Sequence, residues 1–461
     1  MPAELRNDSR VNSGETKGAF PPGLSNAYWF AWFNALSFQM VLGSPMILFA
    51  KDLGASATVL GIITGLTPLL VIFQIPAAYY VSRVGYRRFV HAGWGIRVGF
   101  IFLIATVPMT YRFLNATTQL ALTLLLLFCF NLSRGISSAG WLPWITALVP
   151  EDGRGKYLSR DAAAVGLASF LAFVLAALCL WGNPKPWQFA LVFAFSGIMG
   201  VMSLTFLRRI PDVPAPAQQV KSAGAVPWWE MMRFPPFRKL LKMAVAWSIA
   251  YGGLTTFTVA FLKTEQGMSE GTILLVNSIS FLGGCSSLWF LGARLDPFGS
   301  KPVVTLVLVS WVAVLIGWGL IAGKVFTGNL AFILVLQFAM GLFAAVMNMA
   351  NLRLAMGLVP VMGRDHFFAI YSVVTSMALG LSPIFWGLLI DGFAAFGVRR
   401  AGPEWNRFTF FFAGVLAFLA LTLLLARRLE EPRAATFEQL FKEVLIYSPQ
   451  RVLLRFWPRQ G

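Results

Sequence analysis

Gly292-Ala-Arg-Leu-Asp296-Pro-Phe-Gly299-Ser-Lys301 decides the reading of this chain, because a worn copy of it, Ala78-Tyr-Tyr-Val-Ser82-Arg83-Val-Gly85-Tyr-Arg87, stands 214 residues earlier. Two further landmarks repeat at almost the same offset. Leu148-Val-Pro150-Glu-Asp-Gly153-Arg154 returns as Leu358-Val-Pro360-Val-Met-Gly363-Arg364, and Phe49-Ala-Lys51 returns as Phe261-Leu-Lys263. The chain between these landmarks is apolar in long runs. A membrane chain made of two similar halves points to a path for a solute between them.

Composition agrees with the membrane. Of 461 residues, 57% are hydrophobic and 12% are charged, against about 25% charged in soluble domains. Twelve spans are predicted, near 27–50, 57–80, 90–110, 118–148, 160–181, 187–207, 240–262, 270–291, 302–322, 329–357, 367–394 and 406–426. Most reach the ~20 apolar residues that a helix needs to cross a bilayer. The polar start lacks the layout of a cleavable signal, so the first span is expected to stay.

The net charge of +18 is spread by topology and not in a nucleic-acid patch. Segments on the N-terminal side hold 26 of the 37 lysines and arginines, and the opposite loops hold 8. The positive-inside rule then predicts both termini in the cytoplasm and the chain in the inner (plasma) membrane. Arg399, Arg400 and Arg407 in the last outer loop run against that rule. The expected division is a terminal segment 1–26, a six-helix half 27–208, a linker 209–239, a second half 240–427 and a tail 428–461. The linker is rich in proline and polar residues, then turns aromatic and basic from Trp228 to Lys239, which suits a membrane interface. In the tail, Phe437, Leu440, Phe441, Val444 and Leu445 form one stripe of an amphipathic helix.

These features resemble the major facilitator superfamily. The carrying token is that family's loop signature, Gly-x-x-x-Asp-Arg/Lys-x-Gly-Arg/Lys-Arg/Lys, between spans 2 and 3 and again between spans 8 and 9. The second copy keeps Gly292, Asp296, Gly299 and Lys301. The first keeps Arg83, Gly85, Arg87 and Arg88 but has Ala78 and Ser82 where glycine and aspartate are expected. The resemblance implies an all-α membrane fold of two pseudo-symmetric six-helix bundles, with a cavity lined by spans 1, 4, 7 and 10. It implies that these loops latch the halves. It also implies alternating access to a small solute, by secondary active or facilitative transport. Arg154 and Arg364, at the cytoplasmic surface after spans 4 and 10, read equally as gating groups or as plain loop chemistry.

Charges inside spans carry the functional reading, since each costs at least ~2.5 kcal/mol to insert. Arg134 stands deepest, near the middle of span 4, beside Asn131, Ser133, Ser137 and Ser138. It also matches the arginine of a span-4 pattern of proton-coupled exporters, whose following Gln and Gly are Ser137 and Ser138 here. Arg97 in span 3 and Arg353 in span 10 are close enough to span ends to snorkel. Polar candidates for the cavity are Asn34 and Gln39 in span 1, Gln74 in span 2, Tyr251, Thr255 and Thr256 in span 7, Asn277 in span 8, and Asn348 and Asn351 in span 10. No aspartate or glutamate lies near the middle of a span; Asp161 and Asp391 are at span ends. Arginine without carboxylate favours an anionic or neutral polar solute, such as an organic anion or a sugar derivative. Span 11 carries Gly380-Leu-Ser-Pro383, a sequence expected to bend or unwind it.

Other classes fit less well. No phosphate-binding Gly-x-x-x-x-Gly-Lys-Ser/Thr loop occurs, so ATP use is not expected. Cys129, Cys179 and Cys285 are isolated, and the histidines His91 and His366 sit at span edges, so no metal, cofactor or enzyme chemistry is expected. The expected partners are the lipid bilayer and a small-molecule solute, with the chain a monomer. A multidrug/proton exporter and a non-transporting membrane sensor or assembly module remain as alternatives.

Overall fold

The computed structural model describes residues 20–150, 154–213, 228–290, 299–358, 364–396, 398–399 and 403–429. Gly292, Asp296 and the amphipathic tail stripe lie outside them. Among the described residues, eleven helices are long and apolar enough to cross a membrane. The helix Glu270–Phe290 stands at the place of the remaining span, span 8. Its 21 residues reach about 31 Å, close to the hydrocarbon thickness.

The helices pair in the same way in both halves. Span 1 packs on spans 5 and 6, and span 3 on spans 4 and 6. In the second half span 7 packs on spans 11 and 12, and span 9 on spans 10 and 12. The halves meet through spans 2 and 11 and, symmetrically, through spans 5 and 8. The second half carries an aromatic core. There Trp318 stacks on Phe412 at 6.1 Å, and Phe261 meets the edges of Phe408 and Phe412.

The repeated signature loops share a backbone geometry. Gly85 and Gly299 each precede the next helix with positive φ, 87° and 79°, a region that glycine enters without strain. Each loop's basic residue then reaches the last helix of its own half. Arg87 pairs with Asp212, just past span 6, at 3.5 Å. Lys301 donates to the carbonyls of Arg427 and Leu429 at the end of span 12, which suits a cation at a helix C-terminus. Arg83 instead turns to the Tyr79 ring, and Arg88 is exposed.

Spans 1 and 7 are each broken into two helices. Span 1 runs as Ser25–Leu42 and Ser44–Asp52, with extended backbone at Gly43 and Pro45 opening the second piece. Span 7 runs as Pro235–Tyr251 and Leu254–Thr264, interrupted at Gly252-Gly253. The carbonyl of Ile249, one turn before Gly253, accepts from Trp386 Nε1 at 2.7 Å and from Ser382 Oγ at 3.1 Å. Side chains thus serve a group close to the break, as a membrane interior demands. Span 11 does not unwind: Arg364–Gly392 is one continuous helix with Pro383 inside it. Its glycine and proline serve close packing. The Gly61 and Gly65 positions of span 2 lie directly against the backbones of Pro383 and Gly380.

The last outer loop holds a two-stranded ribbon pairing Val398 with Trp405 and Arg399 with Glu404. Arg407 beside it pairs with Glu265 at 2.8 Å, which accounts for one of the arginines on that side.

Candidate functional site

A cavity of about 510 Å³ lies between the halves, within the range of small-molecule sites. Spans 1, 2, 3, 4, 7 and 11 supply its wall. Asn34, Gln39, Arg97, Arg134, Tyr251, Thr255 and Thr256 line it, as the sequence suggested. Phe30, Phe38, Thr64, Thr67, Trp94, Ser138, Trp141 and Leu379 also line it.

The wall holds two arginines and no aspartate or glutamate among the described residues. Arg97 does not snorkel; it is 4% exposed. Its guanidinium lies 4.4 Å from the Trp94 ring centre and donates from Nη2 to Asn34 Oδ1 at 2.5 Å. Trp94 Nε1 donates to the same oxygen, so Asn34 positions both. Arg97 Nε is buried without a partner. Arg134 stands half-buried in the wall, its guanidinium with no hydrogen bond or ion pair among the described residues. A guanidinium is a fork of donors that matches carboxylate, sulfonate or phosphate oxygens. Tyr251 is stacked on Trp247 at 5.3 Å, which fixes its ring at the opposite wall.

Several sequence candidates make structural contacts. Asn131 accepts from Thr67 at 2.8 Å and donates to the Leu127 carbonyl, tying span 4 to span 2 just behind the wall. Asn277 donates to Ser44 Oγ at 3.1 Å and accepts from Gln337, a tie across the halves. Gln74 donates to Ser138 Oγ and lines a neighbouring crevice. Asn348 is exposed on span 10. Asn351 is buried with Oδ1 unpartnered, and neither borders the cavity. Ser133, Ser137 and Ser138 donate to backbone carbonyls, and of the three only Ser138 borders the cavity. Arg154 donates to the Thr146 carbonyl at the end of span 4. For Arg364 the backbone alone is described, at the start of span 11.

The cavity is sealed on the side away from the termini. There Asp391, at the end of span 11, accepts from the backbone N–H groups of Ala57 and Thr58 at 3.0 and 2.8 Å and from Thr58 Oγ1 at 2.7 Å. A carboxylate of one half thus caps the first turn of span 2 in the other. Thr64 and Thr256 share a hydrogen bond of 2.7 Å beneath it. Lys263, from the repeated Phe-x-Lys landmark, bridges Asp52 across the halves at 3.5 Å and pairs with Glu270 in its own half. The sequence undervalued Asp391 because it sits at a span end. Its counterpart at the offset of the Leu-Val-Pro repeat is Trp181.

The family model of the Major Facilitator Superfamily matches residues 27–324 and 261–457. The chain belongs to the Major Facilitator Superfamily. An MFS-type efflux pump of Mycolicibacterium smegmatis is 29% identical over 286 residues, 58% of this chain and 62% of that protein. The chain thus matches less than two thirds of that relative's length. A variant of the nucleoside transporter NupG superposes with a TM-score of 0.67 at 12% identity, covering 89% of this chain and 99% of that one. The xylose transporter XylE from E. coli, in an inward-open conformation, superposes at 0.64 with 14% identity, covering 91% and 97%. Superfamily members are membrane transporters and not enzymes, and the two-bundle fold is theirs. Their loop signature is here a pair of helix-end ties, Arg87 to Asp212 and Lys301 to span 12.

Proposed function

We propose that the chain is a transporter of a small organic anion, working by alternating access of the cavity between its halves. The observation that carries this reading is the pair Arg97 and Arg134, set in one wall with no carboxylate among the described lining residues. A buried guanidinium without a counter-ion costs several kcal/mol, and a bound anion offsets that cost. The far-side seal of Asp391, Thr64–Thr256 and Lys263 supports a state closed on that side. The excess of basic residues on the terminal side supports placing that side in the cytoplasm of a plasma membrane. Rocking the halves apart at the seal would expose the same arginines to the far side.

The efflux-pump relative supports outward movement of the anion. The aromatic lining of Phe30, Phe38, Trp94, Trp141 and Tyr251 gives some support to the second reading, a multidrug exporter. The chain is taken to act as a monomer, powered by an ion gradient or by the solute's own gradient. A thermal-shift screen separates the readings, because a ligand of the native state raises its stability. Organic anions should raise the midpoint in the parent and not in Arg134→Gln. Stabilisation by cationic and neutral drugs, with none by anions, would overturn the anion reading.

A further inference from the structure

A second cavity, of about 240 Å³, lies between span 2 and span 11. The two spans touch on the far side, where Gly61 and Gly65 meet the backbones of Pro383 and Gly380. Toward the termini a crevice opens between them, bordered from Pro68 to Ala78 on span 2 and from Ala369 to Met377 on span 11. That stretch of span 2 is about 15 Å long. Pro68 borders both the crevice and the central cavity, so the two spaces lie side by side at that residue. Gln74 is the largest polar group in the crevice wall, and its amide already donates to Ser138. At the rim, Ile72, Ile75 and Met377 are 40%, 55% and 38% exposed. Within a membrane span such exposure faces hydrocarbon, which wets an apolar crevice as water does not.

We propose that the transported solute is an amphiphilic anion whose acidic head binds Arg97 and Arg134 while its apolar tail lies in the crevice between spans 2 and 11. The proposal rests on the anion reading above and names the substrate class. Charge complementarity fixes the head. Adjacency at Pro68 places the tail, because a molecule seated on the arginines has an apolar crevice beside it, with Ile72, Ile75 and Met377 exposed at its rim. A solute entering by that crevice keeps its tail in hydrocarbon throughout. Only the head must leave the headgroup layer for the guanidinium forks. A compact hydrophilic anion would make no contact with the crevice.

The test uses linear alkanesulfonates of rising chain length, one acidic head throughout, binding to the full chain in nanodiscs and corrected with empty nanodiscs. Affinity should rise about fourfold per methylene while the chain fills the crevice, then level off. Ala369→Trp, at an exposed crevice position, and Val373→Trp, as an independent second variant, should flatten the series while ethanesulfonate binds as to the parent. Arg134→Gln should weaken every member. A flat series in the parent, or a slope that both tryptophan variants leave intact, overturns the tail site and leaves the anion site standing. Affinities across the whole series that stay at the parent's level in Arg134→Gln overturn the head assignment and with it the anion reading.

Discussion

Replacing Asp391 by alanine should loosen the far-side seal by an amount that the structure allows one to work out. The carboxylate accepts two backbone N–H bonds from Ala57 and Thr58 and one hydroxyl bond from Thr58, all between 2.7 and 3.0 Å. Ser56 Oγ accepts from Val59 N–H, so Asp391 and Ser56 together satisfy three of the free donors at the start of span 2. Hydrogen bonds to a charged group are worth about 1.5–3 kcal/mol each, but Asp391 is only half-buried and water replaces it readily. A net loss of about 2–3 kcal/mol is expected, and only in the state closed on the far side, since opening separates span 2 from span 11 in any case. That is roughly a 30- to 160-fold shift toward the far-side-open state. Spin labels at Phe113 and Val325, exposed in far-side loops of opposite halves, would report it as a longer distance by pulsed electron resonance. Asp391→Glu, which can still cap, should shift less. A distance distribution unchanged by Asp391→Ala would refute the reasoning that this carboxylate latches the halves.

Three further perturbations follow from particular contacts. Lys263→Ala should lower the melting temperature, with a loss of about 3 kcal/mol, because Glu270 is 3% exposed and would keep an unpaired charge; adding Glu270→Gln should recover much of it. Gly65→Val would drive a side chain into the Gly380 carbonyl, so the same spin labels should move apart as in Asp391→Ala. Arg97→Lys keeps the charge but loses the flat group set over Trp94, so anion affinity should fall about tenfold with little change in melting temperature; unaltered affinity would place the anion elsewhere.

Much of the architecture was legible because it follows from periodicity and repetition. Apolar runs of bilayer length gave the spans, and the duplicated loops gave the halves and their glycine turns. The breaks in spans 1 and 7 were harder to see. Gly43-Ser-Pro45 and Gly252-Gly253 are ordinary helix punctuation until a neighbour such as Trp386 is known to serve a carbonyl beside the gap. Span 11 shows the converse: Pro383 reads as a breaker, yet the helix continues and uses Gly380 and Pro383 to approach span 2. At the cavity, the charges inside spans were the plainest signal in the sequence. Arg134 and Arg97 both reached the cavity because a buried guanidinium must be useful or costly. Amides were poor guides. Asn131, Asn277 and Gln74 are satisfied by partners that lie far away in sequence, which no local pattern discloses. Asp391 was passed over as a span-end residue, although a helix N-terminus across the interface is what a carboxylate at that depth can hold.

The most direct test of the central claim is charge movement in proteoliposomes on a solid-supported membrane, with organic anions applied to the parent and to Arg134→Gln. The account predicts anion-dependent, saturable currents or counterflow in the parent and at least a tenfold loss in the variant at equal protein and equal melting temperature. Anion flux in Arg134→Gln equal to the parent's would contradict it.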